Sequence, residues 1–133
     1  MITDDQIKAL SKRRDELKKF IDIASKEEES NALEMESQSS DFWGNSKKAQ
    51  LTLKKLSILK SWLKSYNIVV TNIEELQVLI ELNADKSELD KHHKKTIESV
   101  EDLEFKNMLS AEEDSMSAVI TINPGAGGTE SQD

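Results

Sequence analysis

Apolar positions recur at helical spacing through most of the chain, and the spacing changes only near its end. Ile7, Leu10, Arg14, Leu17, Ile21 and Ala24 step 3-4-3-4-3, the seam of a helix packed in coiled-coil fashion. This pattern predicts a first helix starting near Thr3 or Asp4, either of which can cap it. Arg14 alone breaks the apolar register, and its aliphatic stem can still lie along the seam. The pattern decays through residues 27–29, all Glu, with Leu33 and Met35 carrying the helix on weakly. Residues 37–40 are polar and helix-averse, so the chain should leave the helix there.

Asp41-Phe42-Trp43-Gly44-Asn45 then reads as a corner between helices. Adjacent aromatics cannot share one helical face, and Gly44 permits a turn that other residues resist. Phe42 and Trp43 are expected to plug the end of the helix pair, in preference to Trp43 stacking on a ligand. Asn45 or Ser46 can cap the next helix. In that helix Leu56, Leu59, Leu63, Tyr66, Val70, Ile73, Gln77 and Ile80 keep a 3-4 alternation, with Ala49 and Thr52 extending it upstream. Leu53, Trp62, Leu76 and Leu79 widen the apolar face beyond a two-stranded seam, and a wide face needs neighbours on two sides. Residues 68–71 are β-branched, and Thr71 with Glu74 has the form of a capping box. A break near Asn67 is thus an open alternative, but the unbroken register favours one helix.

Residues 83–85 suggest a second corner, with Asp85 and Glu88 opening a third helix. Leu89, His93, Thr96, Ile97, Val100, Leu103 and then Met108 or Leu109 give its looser stripe, and Glu98, Glu101, Asp102 and Glu104 its acidic outer face. After Ser110 the period changes to two: Met116, Ala118, Ile120 and Ile122 alternate with Ser117, Val119, Thr121 and Asn123. That alternation predicts a strand with one apolar face. A lone strand has no backbone partners, so the rest of its sheet is expected outside this sequence, which would then end inside the opening of a second domain. The expected architecture is mainly α: an antiparallel bundle of long helices with coiled-coil-like seams over residues 1–114. The first β-strand and Gly-rich turn of an incomplete α/β domain follow at 115–133.

Composition sharpens this picture in a few respects. The chain has 133 residues, of which 4 are Gly and 1 is Pro, which argues against sheet-rich folds with many tight turns. With 0 Cys there is no disulfide framework, thiolate nucleophile or cysteine zinc site. The first residues do not have the organisation of a secretory signal, and no apolar run approaches the roughly 20 residues of a spanning helix, so the expectation is a soluble intracellular protein without membrane contact. The net charge of -8 argues against a general nucleic-acid binder.

The charge is unevenly spread. Residues 1–36 carry -3, residues 37–66 carry +5, and residues 67–133 carry -10. A basic segment between two acidic ones suits helices that pack antiparallel with complementary faces. The basic segment consists of Lys47, Lys48, Lys54, Lys55, Lys60 and Lys64, either a solvated face opposite acidic helices or a contact for a polyanion.

Catalytic chemistry finds little support. Residues 125–130, Gly-Ala-Gly-Gly-Thr-Glu, lack the Gly-Lys-Ser/Thr of a nucleotide P-loop and the spacing of a dinucleotide fingerprint. His92 and His93 diverge on a helix, and no His, Asp or Glu four residues on completes a face with His93, so no metal site is expected. Ser131 has no companion triad, and the carboxylates sit on exposed helix faces. Neither a cofactor nor a small-molecule substrate is implied.

Several ordered features together resemble the bacterial class I peptide chain release factors, in their release factor 2 branch. They are the acidic heptad-like first helix, the Asp41-Phe42-Trp43 corner, Lys-Lys-Ala-Gln at 47–50, Leu-Glu-Phe-Lys-Asn-Met-Leu-Ser at 103–110, and Ile-Asn-Pro-Gly-Ala-Gly-Gly-Thr-Glu-Ser-Gln-Asp at 122–133. The aromatic corner and the glycine-rich end, in this order and at this distance, are the specific part. Thr129 after the glycines is closer to release factor 2 than to its sister branch, which tends to carry Asp there.

The resemblance implies a role in translation termination: reading UAA and UGA on the ribosome and promoting hydrolysis of peptidyl-tRNA. It implies the ribosome as partner, through the large-subunit factor-binding region with its rRNA and stalk-base proteins. The GTPase release factor 3 is a further partner in organisms that have it. The family decodes with a Ser-Pro-Phe-type tripeptide and hydrolyses with a Gly-Gly-Gln loop. Neither is present here, since Thr129 stands where that loop needs Gln, so both steps are expected outside these residues. Under the resemblance the six lysines become the candidate ribosome contact. Two other readings compete: a non-catalytic helical adaptor that binds the ribosome or a partner helix, and an unrelated coiled-coil dimerisation segment, which leaves the strand and glycines unexplained.

Overall fold

The computed structural model describes residues 4–122, with side chains as far as residue 113. Four helices follow in order: α1 (Asp4–Ile21), α2 (Ile23–Ser37), α3 (Ser46–Glu81) and α4 (Lys86–Ile122), with a short 3-10 turn (Ser40–Gly44) between α2 and α3. The mainly α, antiparallel long-helix part of the expectation is therefore observed. α3 is the spine, about 54 Å long at 1.5 Å per residue. α1 lies along its C-terminal half, where Asp4, Ile7 and Lys8 meet Gln77, Ile80 and Glu81 across a shared groove. α4 returns antiparallel on another side, tied by Asn72 to Ser99 and by Lys106 to Ser61.

The first helix breaks where the seam alone predicted continuity. Ile21 and Ile23 are both buried, yet two residues on one helix diverge by about 200°. Asp22 between them takes the left-handed conformation, φ 60° and ψ 59°, and turns both side chains inward. Its carboxylate accepts from the Ser25 amide at 3.3 Å, so one residue ends α1 and caps α2. The predicted seam is followed as far as Ile21, and Ala24 is exposed.

The 3-10 corner forms with Ser39 Oγ accepting from the Asp41 amide, and Asn45 Oδ1 then caps α3 by accepting from the Lys48 amide at 3.1 Å. Phe42 is buried, but Trp43 is 61% exposed, so only one of the two predicted plugs enters the interior. Trp43 packs edge-on against Phe42, ring centres 5.0 Å apart. Adjacent side chains on a tight turn diverge, so burying Phe42 leaves Trp43 facing outward. Gly44 also differs from expectation: a Cβ there would meet open space, and the left-handed non-glycine residues among those described are Asp22 and Asn83.

α3 is continuous through Asn67. Its buried stripe runs Ala49, Leu56, Leu59, Tyr66, Val69, Ile73 and Leu76, whereas Gln77 is exposed. Beyond Tyr66 the predicted seam positions are Val70, Ile73 and Gln77, but the fully buried residues are Val69, Ile73 and Leu76, with Val70 and Ile80 partly buried beside them, because α3 is covered by α1 and by α4 on different sides. The main core gathers Ile7, Leu10, Leu17, Ile21 and Ile23 with Tyr66, Val69, Ile73, Leu76, Val100 and Leu103. Phe42, Ala49, Leu56 and Leu59 form buried positions toward the other end of α3, outside that cluster.

The strand predicted over 116–122 is not observed: α4 continues as helix to Ile122. The described residues contain no other strand to pair with one. A helix satisfies its backbone N–H and C=O groups within the segment, and an unpaired strand leaves them to water. The glycine-rich residues 123–133 lie outside the described residues, and with them the expected turn.

Candidate functional site

The six candidate lysines all lie on exposed positions of α3, but the helix does not gather them on one face. At about 100° per residue, Lys47 and Lys54 share one direction, Lys48 and Lys55 a second, and Lys60 and Lys64 a third. Two are already paired with α2: Lys55 Nζ lies 2.9 Å from Glu29 Oε2, and Lys60 binds Glu34. These pairs join acidic positions of α2 to basic positions of α3, though exposed pairs of this kind contribute at most about 1 kcal/mol. Lys47, Lys48, Lys54 and Lys64 have no ion-pair partner among the described residues. Lys47 and Lys54 flank Leu51, 63% exposed, and Ile58 continues the same stripe at 53%.

Lys60 and Lys64 face a groove of about 680 Å³ between α3 and α4, where Lys95 joins them from α4. Lys95 was invisible to a search along one helix, because it meets the others only through the antiparallel return of α4. The groove continues past Thr71 and Glu75 into a stretch of about 510 Å³ lined by Glu74, Val78, Glu88 and His92. His92 Nε2 lies 3.1 Å from the backbone oxygen of Asn72 and 3.9 Å from Glu75 Oε2. Its neighbour Thr96 is fully buried and donates to the His92 carbonyl at 2.8 Å, while the Asn72 side-chain amide donates to Ser99 Oγ at 3.1 Å. The contacts of His92 and Ser99 with Asn72, together with a 3.4 Å hydrogen bond from the Thr96 hydroxyl to the Asn72 carbonyl, pin α4 against α3 beside the groove.

Two further polar arrangements secure the bundle. Arg13 grips Glu104 with two guanidinium nitrogens, joining α1 to α4, and that hydrogen-bonded carboxylate raises the Arg13 pKa further. Two ammonium groups lie over the Trp62 ring, Lys106 Nζ 4.4 Å and Lys26 Nζ 5.5 Å from its centre. Burial lowers the pKa of Lys106 and raises that of Tyr66. Among the described residues no group of three or more His, Asp or Glu is placed to hold a metal ion. Nor is any described helix long and apolar enough to cross a membrane. The described helices thus present charged stripes and shallow grooves between them.

Comparison with known proteins identifies the family. The model of the PCRF domain family matches residues 26–133. Peptide chain release factor 2 of Wolinella succinogenes is 37% identical over 136 residues, covering 96% of this chain and 36% of that protein. Its counterpart in Helicobacter pylori strain J99 is 35% identical over 133 residues, covering 96% and 37%. That of an Exiguobacterium species is 29% identical over 135 residues, covering 97% and 37%. The chain therefore spans little more than a third of the length of these relatives. No solved structure matches it significantly.

Proposed function

The chain belongs to the PCRF domain family, and from that premise we propose that it serves translation termination as the helical part of a codon-specific release factor of the release factor 2 type. The observation carrying this reading is the match of 96% of the chain to release factor 2 relatives at up to 37% identity. In this reading the bundle works in the cytoplasm on the ribosome, at the factor-binding side of the large subunit. UAA and UGA would be read, and peptidyl-tRNA hydrolysed, by residues other than these: the 133 residues contain no Gly-Gly-Gln. The bundle's own task is then placement, not chemistry. Release factor 3 is a further partner in organisms that possess it.

Lys47 and Lys54 are the residues we assign to rRNA. They are exposed, share one face of α3, have no carboxylate partner among the described residues, and stand about 10.5 Å apart along the helix. Two ammonium groups so placed can meet phosphates of one backbone strand, and such a contact weakens with salt.

A chimera tests the reading. This chain replaces the matching segment of the Wolinella succinogenes release factor 2, and peptide release is measured on ribosomes programmed with UAA, UGA or UAG. Release at UAA and UGA comparable to the parent factor is expected. A chimera that folds yet neither binds ribosomes nor releases peptide sinks the proposal. Lys47→Glu/Lys54→Glu in the chimera should weaken ribosome binding and flatten its salt dependence, leaving the maximal release rate intact.

A further inference from the structure

The α3–α4 groove is polarised along its length. At one end Lys60, Lys64 and Lys95 line it; at the other Glu74, Glu75 and Glu88 do, and Thr71 and Glu75 belong to both stretches. Lys64 and Lys95 have no ion-pair partner among the described residues, while Lys60 is shared with Glu34. Ile68 is 44% exposed in the basic stretch and Val78 is 50% exposed in the acidic one. These two side chains stand about 15 Å apart along α3. The groove thus offers two apolar seats and an electrostatic direction.

We propose that this groove docks an amphipathic helix of a partner protein. Its acidic end lies over Lys60, Lys64 and Lys95, its basic end lies over Glu74, Glu75 and Glu88, and apolar side chains pack on Ile68 and Val78. Charge complementarity selects this occupant. A nucleic acid would meet three carboxylates along half of the groove, no arginine lines it to fork phosphates, and its one ring, the His92 imidazole, is held at the backbone oxygen of Asn72 beside Glu75. A helix laid between two helices is a recurring recognition mode, and opposed charges fix its direction. The inference is independent of the termination reading, because it concerns a different face of α3 from Lys47 and Lys54.

A fluorescein-labelled synthetic helix tests it, with Glu in its first two turns, Lys in its last two, and Leu at two positions three turns apart. Fluorescence anisotropy with the full 133-residue chain should give saturable binding. Lys64→Glu/Lys95→Glu and Glu74→Lys/Glu75→Lys should each weaken it by about fivefold or more, the loss expected from two exposed charge pairs turned repulsive. Lys47→Glu, outside the groove, should leave it within twofold. Far-UV circular dichroism checks that the variants fold. Binding that is absent, unaffected by both double substitutions, or matched by an all-Lys helix overturns the proposal. So does preferential binding of a single-stranded oligouridylate to the groove. Sedimentation showing a dimer that these same substitutions dissociate would assign the face to a second copy instead.

Discussion

Lys106 holds its ammonium 4.4 Å from the centre of the Trp62 ring and 3.0 Å from Ser61 Oγ, so a cation of α4 is seated on the spine helix. Charge over an indole face is attractive by about 0.5–1 kcal/mol at partly exposed sites. A double-mutant cycle with Lys106→Met and Trp62→Leu, followed by urea unfolding, should give a coupling energy in that range. Coupling near zero would mean that the ring and the ammonium are neighbours without mutual stabilisation.

The position of the buried stripe beyond Tyr66 is open to a direct comparison. Leu76 is fully buried and Gln77 is exposed. Leu76→Ala should cost about 2–5 kcal/mol, whereas Gln77→Ala should stay within about 0.5 kcal/mol. Equal losses at the two positions would restore the strict heptad alternation.

Asp22 combines a left-handed backbone with a capping carboxylate. Asp22→Asn should be nearly neutral, since asparagine tolerates that conformation and can accept from Ser25. Asp22→Ala should lose about 1–3 kcal/mol through the lost cap and the backbone strain together, and Asp22→Val more. Thermal melts of the three variants should rank in that order; an alanine variant as stable as wild type contradicts the cap.

Alkaline pH should set two groups against each other. Burial raises the Tyr66 pKa, so the neutral phenol stabilises the fold below its ordinary value near 10, and that contribution fades as pH rises through the folded value. Burial lowers the Lys106 pKa, so the cost of its charge disappears as pH climbs from the folded value toward 10.5, and stability rises there. Tyr66→Phe should therefore diminish the alkaline loss of Tm, and Lys106→Met should deepen it. Identical pH profiles for wild type and Tyr66→Phe would refute the assignment.

Much of the bundle was legible because helix seams are written in spacing. Leu56, Leu59, Tyr66, Ile73, Val100 and Leu103 all fall on buried faces by their intervals, and of the two cap candidates, Asn45 and Ser46, Asn45 takes the role. The break at Asp22 was not, since Ile21 and Ile23 each fit a helical pattern and only together require a turn between them. Trp43 was assigned to the interior on its hydrophobicity, although adjacent residues on a corner point apart. The strand at 116–122 followed from alternation alone, and α4 overrides that alternation by satisfying its backbone within the helix. For the candidate site, the sequence singled out lysines of one helix. Lys95 and Lys106 act across two helices, and only the antiparallel return of α4 brings them to Lys64 and Trp62.

The two sets of buried residues on α3 have a consequence for how the bundle opens. Ile73 and Leu76 are locked among α1 and α4, while Ala49, Leu56 and Leu59 lie outside that main cluster, toward the α2 end. Amide protons in the two halves of this one helix should then exchange with different free energies, the α2 end opening first while the other half stays closed. A partner that grasps the α2 end would meet a pliable handle on a stiff shaft.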